Sequence, residues 1–450
     1  MVRSTKTRKP VAPAKKRRIH PVAALLPLAL AIGSSQLPSS PTTPTMTTHV
    51  AVKCGGTGQP VCSVPTPLLK NGHPVDWWFV FKMNSAIFPE CGGANRECRF
   101  GGDVQKYRKF SQQFVYASSE NETLQQGSGC AGDTLDDPVG ATFDEVYSHI
   151  YNYVIWNDQF YDDPDIKGCS ESCGAPWGHS KGMLAWNDAG EGFVMQVTTP
   201  SWPAAGSSDF PRKSDGNTLG CVKDNDVQVS QHFFALKLNK DDLVQVLKAL
   251  SNSSVVTDTS NRQIVTNGGP DDVQDLVASL GVKSKSTTFS DVKLSTGVEL
   301  ISKPSKLAVP PWQMVSSILG GLSLRTATWW ANPEIYSTTS SSTIDCWSDS
   351  LKKPGAVEIA TTGHWAGKVF RLTGGLGSDF NHAKIGVSNT VDSHFSIFGD
   401  MNQQGAISGN CNSSQNGRGG TFYVLNNSKL AASLGDLISG DKAPTEAPEK

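Results

Sequence analysis

Two copies of one short triplet, His179-Ser-Lys181 and His382-Ala-Lys384, stand 203 residues apart, and each opens onto an apolar stretch that reads as buried strand. In an extended chain residues i and i+2 project to the same side, so each imidazole shares a face with its ammonium while Ser180 and Ala383 point away. At 450 residues the chain also exceeds the size at which one core usually keeps growing. Two domains, or one fold made of two similar halves, are therefore expected. An imidazole and an ammonium supplied twice are what a metal-free attack on a phosphodiester requires.

The first residues carry a different signal. Eight Lys/Arg and no acid lie between Arg3 and Arg18, followed by the apolar run Val22 to Ile32 and the small residues Gly33-Ser-Ser35. Residues 1–35 read as a signal peptide and 36–48, rich in Ser, Thr and Pro, as a disordered leader. The same basic cluster would also suit a nuclear-targeting or nucleic-acid-binding arm, or a retained anchor. No later stretch approaches the ~18 apolar residues of a membrane span. Ten cysteines, eight of them between Cys54 and Cys221, fit an oxidising compartment: the medium, a periplasm or a lysosome. Cys169 and Cys173 lack a second Cys or His pair at zinc-finger spacing, so no metal is expected. Without the leader's basic residues, 32 Lys/Arg face 41 acids, a formal charge of −9 that argues against a strongly basic nucleic-acid binder. Eight histidines remain, and acid would cancel most of that charge.

Two apolar strands ending in Lys, Asp76 to Lys82 and Gln231 to Lys237, each precede a His-x-Lys triplet. They suggest a duplicated α/β fold with lobes at 49–230 and 231–435 and a flexible tail at 436–450. Helical patterns run from Phe143 to Trp156 and from Asp241 to Leu250, and turn-rich loops span 201–220 and 251–269. Trp77, Trp78, Trp177, Trp186, Trp329 and Trp330 suit either a core or base stacking.

Gly178-His-Ser-Lys-Gly182 also matches the Gly-x-Ser-x-Gly elbow of serine hydrolases, with Ser180 as nucleophile. That elbow needs a hydrophobic strand before the serine and a helix after it. Here Gly and Pro precede it, and Met183 to Val197 reads as a hairpin turning at Asn187 to Gly190. Asn402 lies twenty residues after His382 and Thr199 twenty after His179, so a polar group recurs at one offset.

The blocks Gly55 to Pro60, Pro74 to Lys82, Gly178 to Ala185, Thr198 to Pro203, Gly216 to Cys221, Asn381 to Lys384 and Gly399 to Asn402 resemble, in order, the deoxyribonuclease II family. The resemblance implies a phospholipase D-like fold in which two lobes, each a mostly central mixed sheet flanked by helices, join their His-x-Lys motifs in a pseudo-dimer. It implies hydrolysis of double-stranded DNA to 3′-phosphate ends without cofactor or metal, with contacts mainly to the backbone. The expected catalytic residues are His179 as nucleophile, His382 as acid, Lys181 and Lys384 as oxyanion holders, and Asn402 as a neutral donor. Thr199, Asn389 and Arg418 are candidate substrate contacts. A phospholipid phosphodiesterase and an inactive DNA-binding protein are the alternatives.

Overall fold

The computed structural model describes residues 64–445, apart from Glu90, 92–97, 103–112, Ser170, 222–224, 330–335, Leu376, Gln404 and 413–414. The expected signal peptide and leader, Cys54, Cys62, the block Gly55 to Pro60 and Trp330 lie outside the described residues. The fold is mixed α/β, built on two large sheets. The first runs in space Val265–Thr266, Asn152–Asn157, Lys181–Trp186, Gly192–Val197, Gln231–Leu238, Trp77–Lys82, Phe114–Ser118 and Gln125–Gln126, antiparallel throughout. The second runs Ser290–Lys293, Glu299–Lys303, Gly420–Asn426, Phe395–Gly399, Ile385–Ser388, Leu324–Ala327 and Val357–Ile359, with only the last pair parallel.

One five-strand order occurs in both sheets. Asn152–Asn157, Lys181–Trp186, Gly192–Val197, Gln231–Leu238 and Trp77–Lys82 stand in the first where Leu324–Ala327, Ile385–Ser388, Phe395–Gly399, Gly420–Asn426 and Glu299–Lys303 stand in the second. The fourth strand of each set leads through one asparagine into a helix, Lys240–Ser253 or Ser428–Leu437. The Asn239 and Asn427 side chains accept from the backbone N–H groups of Asp242 and Leu430 at 2.9 and 3.0 Å, which satisfies donors that a helix start leaves open.

Several sequence expectations are redrawn. The division placed at residue 230 falls directly before Gln231–Leu238, which is hydrogen-bonded between Gly192–Val197 and Trp77–Lys82 inside the first sheet. The likeness between Asp76 to Lys82 and Gln231 to Lys237 is therefore that of two adjacent central strands, both buried on each face. The counterpart of Trp77–Lys82 in the second sheet is Glu299–Lys303. The helical pattern from Phe143 ends at Tyr147, because Asn152–Asn157 is rich in aromatic and β-branched residues that favour a strand. The tail is packed at its start: Ile438 and Ala443 are buried, and Lys442 bridges to Ala360.

A single apolar cluster runs through both sheets, and helix Lys240–Ser253 packs against strands of each. Phe398 of the second sheet stacks on Phe79 and Phe234 of the first, with ring centroids 4.7 and 4.5 Å away. Trp77, Trp78 and Trp186 are buried in that cluster, which removes them as stacking platforms. Disulfides join Cys91 to Cys130, Cys98 to Cys221, Cys169 to Cys173 and Cys346 to Cys411. No helix among the described residues is long and apolar enough to cross a membrane. Phe398→Ala should cost about 3–5 kcal/mol in urea unfolding. A loss below about 1 kcal/mol would show that the sheets do not depend on this shared contact.

Candidate active site

His179 and His382 both sit just before a strand, at the corner where the five-strand sets of the two sheets meet, and each is anchored by the opposite sheet. The His179 N–H donates to the Gly419 carbonyl at 2.8 Å, and the His382 N–H donates to the Ser230 carbonyl at 2.7 Å. The rings follow the same rule. His179 Nδ1 lies 2.7 Å from the Asp400 carbonyl oxygen, while His382 Nδ1 lies 3.2 Å from Gln231 Oε1. Carbonyl oxygens only accept, so both Nδ1 atoms carry the proton and each neutral ring keeps its lone pair on Nε2. Asn402 Nδ2 approaches His179 Nε2 at 3.4 Å.

The two lysines are held differently. Lys181 Nζ donates to Asp158 Oδ1 at 2.5 Å, and Arg418 Nη2 donates to Asp158 Oδ2 at 2.8 Å, all three residues being buried. Burial raises the Asp158 pKa, but Lys181, then Arg418 and His179, outweigh it and hold the carboxyl far below its usual range. Lys384 Nζ donates to the His382 carbonyl, and its backbone N–H donates to His232 Nδ1 at 3.1 Å. His179, Lys181, Thr198, Lys384 and Asp400 line one narrow crevice, and His382 lies close enough for Lys384, Lys181 and His179 to act on its charge.

A buried polar layer supports these groups. Gln196 Nε2 donates to Asp400 Oδ1 at 3.0 Å, and the other carboxyl oxygen accepts from the Thr421 backbone and hydroxyl at 2.8 and 2.6 Å. Ser180 also bonds the Asp400 carboxyl and accepts from Trp156 Nε1 at 2.8 Å. Ser180 also lines the crevice, but its hydroxyl bonds Trp156 and Asp400 and no imidazole among the described residues, which argues against the serine-hydrolase reading. The two glycines that completed its motif have packing reasons. A Cβ on Gly178 would stand 2.6 Å from the Ser253 carbonyl oxygen, and one on Gly182 would stand 2.4 Å from the Trp156 ring.

Three candidate contacts are placed elsewhere than the sequence suggested. Asn389 lines a cavity of about 470 Å³ with Arg325, His394 and Asp436. It lies five residues beyond Lys384 along a strand, about 16 Å away. Arg418 has its guanidinium on Asp158 and on the carbonyls of Trp177, Cys173 and Gly178, which makes it a brace for Lys181. Thr199 is fully buried. Strand pairing places Gln196 opposite Gly182, while the Gly399 N–H donates to the Lys384 carbonyl. Val197 therefore corresponds to Gly399, and Thr198 to Asp400. The second hairpin is one residue shorter, so equal offsets from the two histidines do not mark equivalent positions. Asp158, Gln196, Gln231 and His232 were missed. Asp158 had one signal, an acid directly after the apolar strand Asn152–Asn157.

Burial and the nearby cations push the His179 and His382 pKa values well below the usual imidazole value, and burial with Lys384 does the same to His232. Unfolding exposes rings that take up protons below about pH 6.5, so their contribution to stability is complete above that pH and is lost as pH falls. Asp400, pushed up to about 6 by burial, and Glu145, pushed up to about 7, act oppositely: their contribution is complete at low pH and is lost as pH rises through those values. His232→Gln should remove up to about one proton from the uptake on unfolding at pH 5, read from the pH slope of urea stability. Asp158→Asn leaves Lys181 and Arg418 without their counter-charge and should cost about 3–5 kcal/mol. The loss should be equal at pH 7 and pH 5, because Asp158 stays ionised at both.

No individual curated protein matches the chain. The family model of deoxyribonuclease II matches residues 66–441, a span that contains both His-x-Lys triplets, both sheets and every residue of the crevice. The chain belongs to the deoxyribonuclease II family and is a phosphodiester hydrolase of DNA.

Proposed function

We propose that this is a secreted acid endonuclease that cuts double-stranded DNA to 3′-phosphate ends through a phosphohistidine, without a metal. The observation that carries the reading is the matched pair of imidazoles, each with Nδ1 committed to an acceptor and Nε2 left for chemistry, beside two buried lysines. The repeated strand order and the crossed anchoring of the histidines support two phospholipase D-like lobes about a pseudo-dyad. Their division falls between Thr266 and Ser290, later than residue 230.

In the first step His179 Nε2 attacks phosphorus, the N–P bond forms and the P–O5′ bond breaks, while His382, protonated, gives its proton to O5′. In the second step neutral His382 takes a proton from water, the oxygen attacks phosphorus and the N–P bond breaks. Lys181 and Lys384 hold the nonbridging oxygens as charge builds, and Asn402 adds a neutral donor. His179 suits the attack because the donor Asn402 Nδ2 faces its Nε2, which identifies that nitrogen as the one carrying the lone pair once the weak 3.4 Å contact is given up to the phosphate.

The acid optimum follows from the same geometry. With the imidazole pKa values held down by burial and by the lysines, His382 is charged only when pH falls and an anionic phosphate enters. Binding of the phosphodiester therefore takes up a proton. Plasmid DNA should be cut at about pH 5 in EDTA, with phosphate on the 3′ ends by end-group analysis. Loss of cutting on chelation with rescue by magnesium would overturn the metal-free reading. His179→Ala and His382→Ala should each lower turnover by at least about a thousandfold with the fold kept by circular dichroism.

A further inference from the structure

Among the described residues four lysines are fully buried: Lys181 and Lys384 in the crevice, and Lys82 and Lys303 outside it. The outer two occupy corresponding places. Lys82 ends Trp77–Lys82 and pairs with Gln231, while Lys303 ends Glu299–Lys303 and pairs with Gly420. Lys82 Nζ donates to the carbonyls of Val227 and Val229 at 2.5 and 2.6 Å. Lys303 Nζ donates to those of Asn416 and Arg418 at 2.7 and 2.9 Å, and to its neighbour Pro304 at 3.3 Å. In each loop the next carbonyl along the chain, Ser230 or Gly419, is the one that accepts the N–H of His382 or His179.

An ammonium is an expensive group for this purpose. The partners of Lys303 Nζ among the described residues are backbone carbonyls, and burial pushes its pKa down to about 7. An apolar side chain of the same length would fill the space with less desolvation. What the amine adds is a set of tetrahedrally spread donors that fix several carbonyls of one loop at once. The space around the second loop is also tight, since a Cβ on Gly419 would stand 2.1 Å from the Ser253 carbonyl oxygen. Arg418, whose carbonyl Lys303 holds, carries the guanidinium that braces Asp158 and so Lys181.

We propose that Lys82 and Lys303 are positioning residues, each clamping the loop of one sheet that holds the histidine of the other in its reacting orientation. The proposal rests on the two-histidine site. Because the clamps are crossed, Lys303 acts on His179 and Lys82 acts on His382. Loosening either displaces one imidazole, and loosening Lys303 also slackens the Arg418 brace on Asp158 and Lys181.

The test is Lys303→Met and Lys82→Met in the full chain, assayed on plasmid DNA at pH 5 and followed by NMR of ¹⁵N-labelled histidines. Turnover should fall about 10–100-fold with KM within about threefold. Lys303→Met should move the ring signals of His179 and leave those of His382, and Lys82→Met should do the reverse. Where a methionine variant does not fold, Lys303→Gln or Lys82→Gln, which keeps two N–H donors, is measured in its place. Wild-type turnover in the folded variants, or both rings shifting together in each, would overturn the clamps. His179→Ala and His382→Ala separate the two failures. Activity in those variants sinks the two-histidine site itself, whereas their inactivity beside fully active lysine variants sinks only the clamps.

Discussion

The exchange of backbone hydrogen bonds between the two sheets is the constraint on which everything else in the site depends. Gly419 holds His179 and Ser230 holds His382, so neither imidazole is placed by the sheet that carries it. Backbone carbonyls are well suited to this work. They have no rotamers and are fixed by the strands they open, while the Asp400 carbonyl and the Gln231 side-chain oxygen, as acceptors, dictate that Nδ1 of each ring bears the proton. The aromatic stack of Phe79, Phe234 and Phe398 behind the crevice gives that exchange its rigidity.

Around this frame the protein buries more ionisable groups than a stable core needs. Asp158 lies between Lys181 and Arg418, and its full ionisation is the condition for keeping both cations out of water. Asp400 shows the reverse choice. Its carboxyl is ringed by donors from Ser180, Gln196 and Thr421, yet burial still outweighs them and raises its pKa to about 6. Carboxyls that prefer the neutral form and histidines that resist protonation pull stability in opposite directions across mildly acid pH. The fold is thereby balanced across the mildly acid range in which the proposed mechanism calls for one charged imidazole.

Much of this was legible in the sequence where the signal is local. The strand period alone paired His179 with Lys181 and His382 with Lys384, and the hairpin Lys181–Trp186 to Gly192–Val197 was readable from its alternation and turn. What failed was information carried by register or by distant backbone. Counting equal offsets put Thr199 in the place of Asn402, because a one-residue difference between the two hairpins is invisible until the strands pair. Asn389 followed its motif closely in sequence but lies far along the strand. Arg418 read as a candidate substrate contact because its partner, Asp158, is 260 residues away. The anchors Ser230 and Gly419 act through their carbonyls, and no side-chain pattern can announce that.

The crossed anchoring also bears on biosynthesis. A chain emerging from the ribosome completes its first sheet while the carbonyl that orients His179 belongs to a strand not yet made. An intermediate with one sheet folded has neither imidazole in place, and thus carries no working site. On the proposed two-histidine site, latency would follow from the order of assembly, with cutting waiting until the last large strand, Gly420–Asn426, has docked.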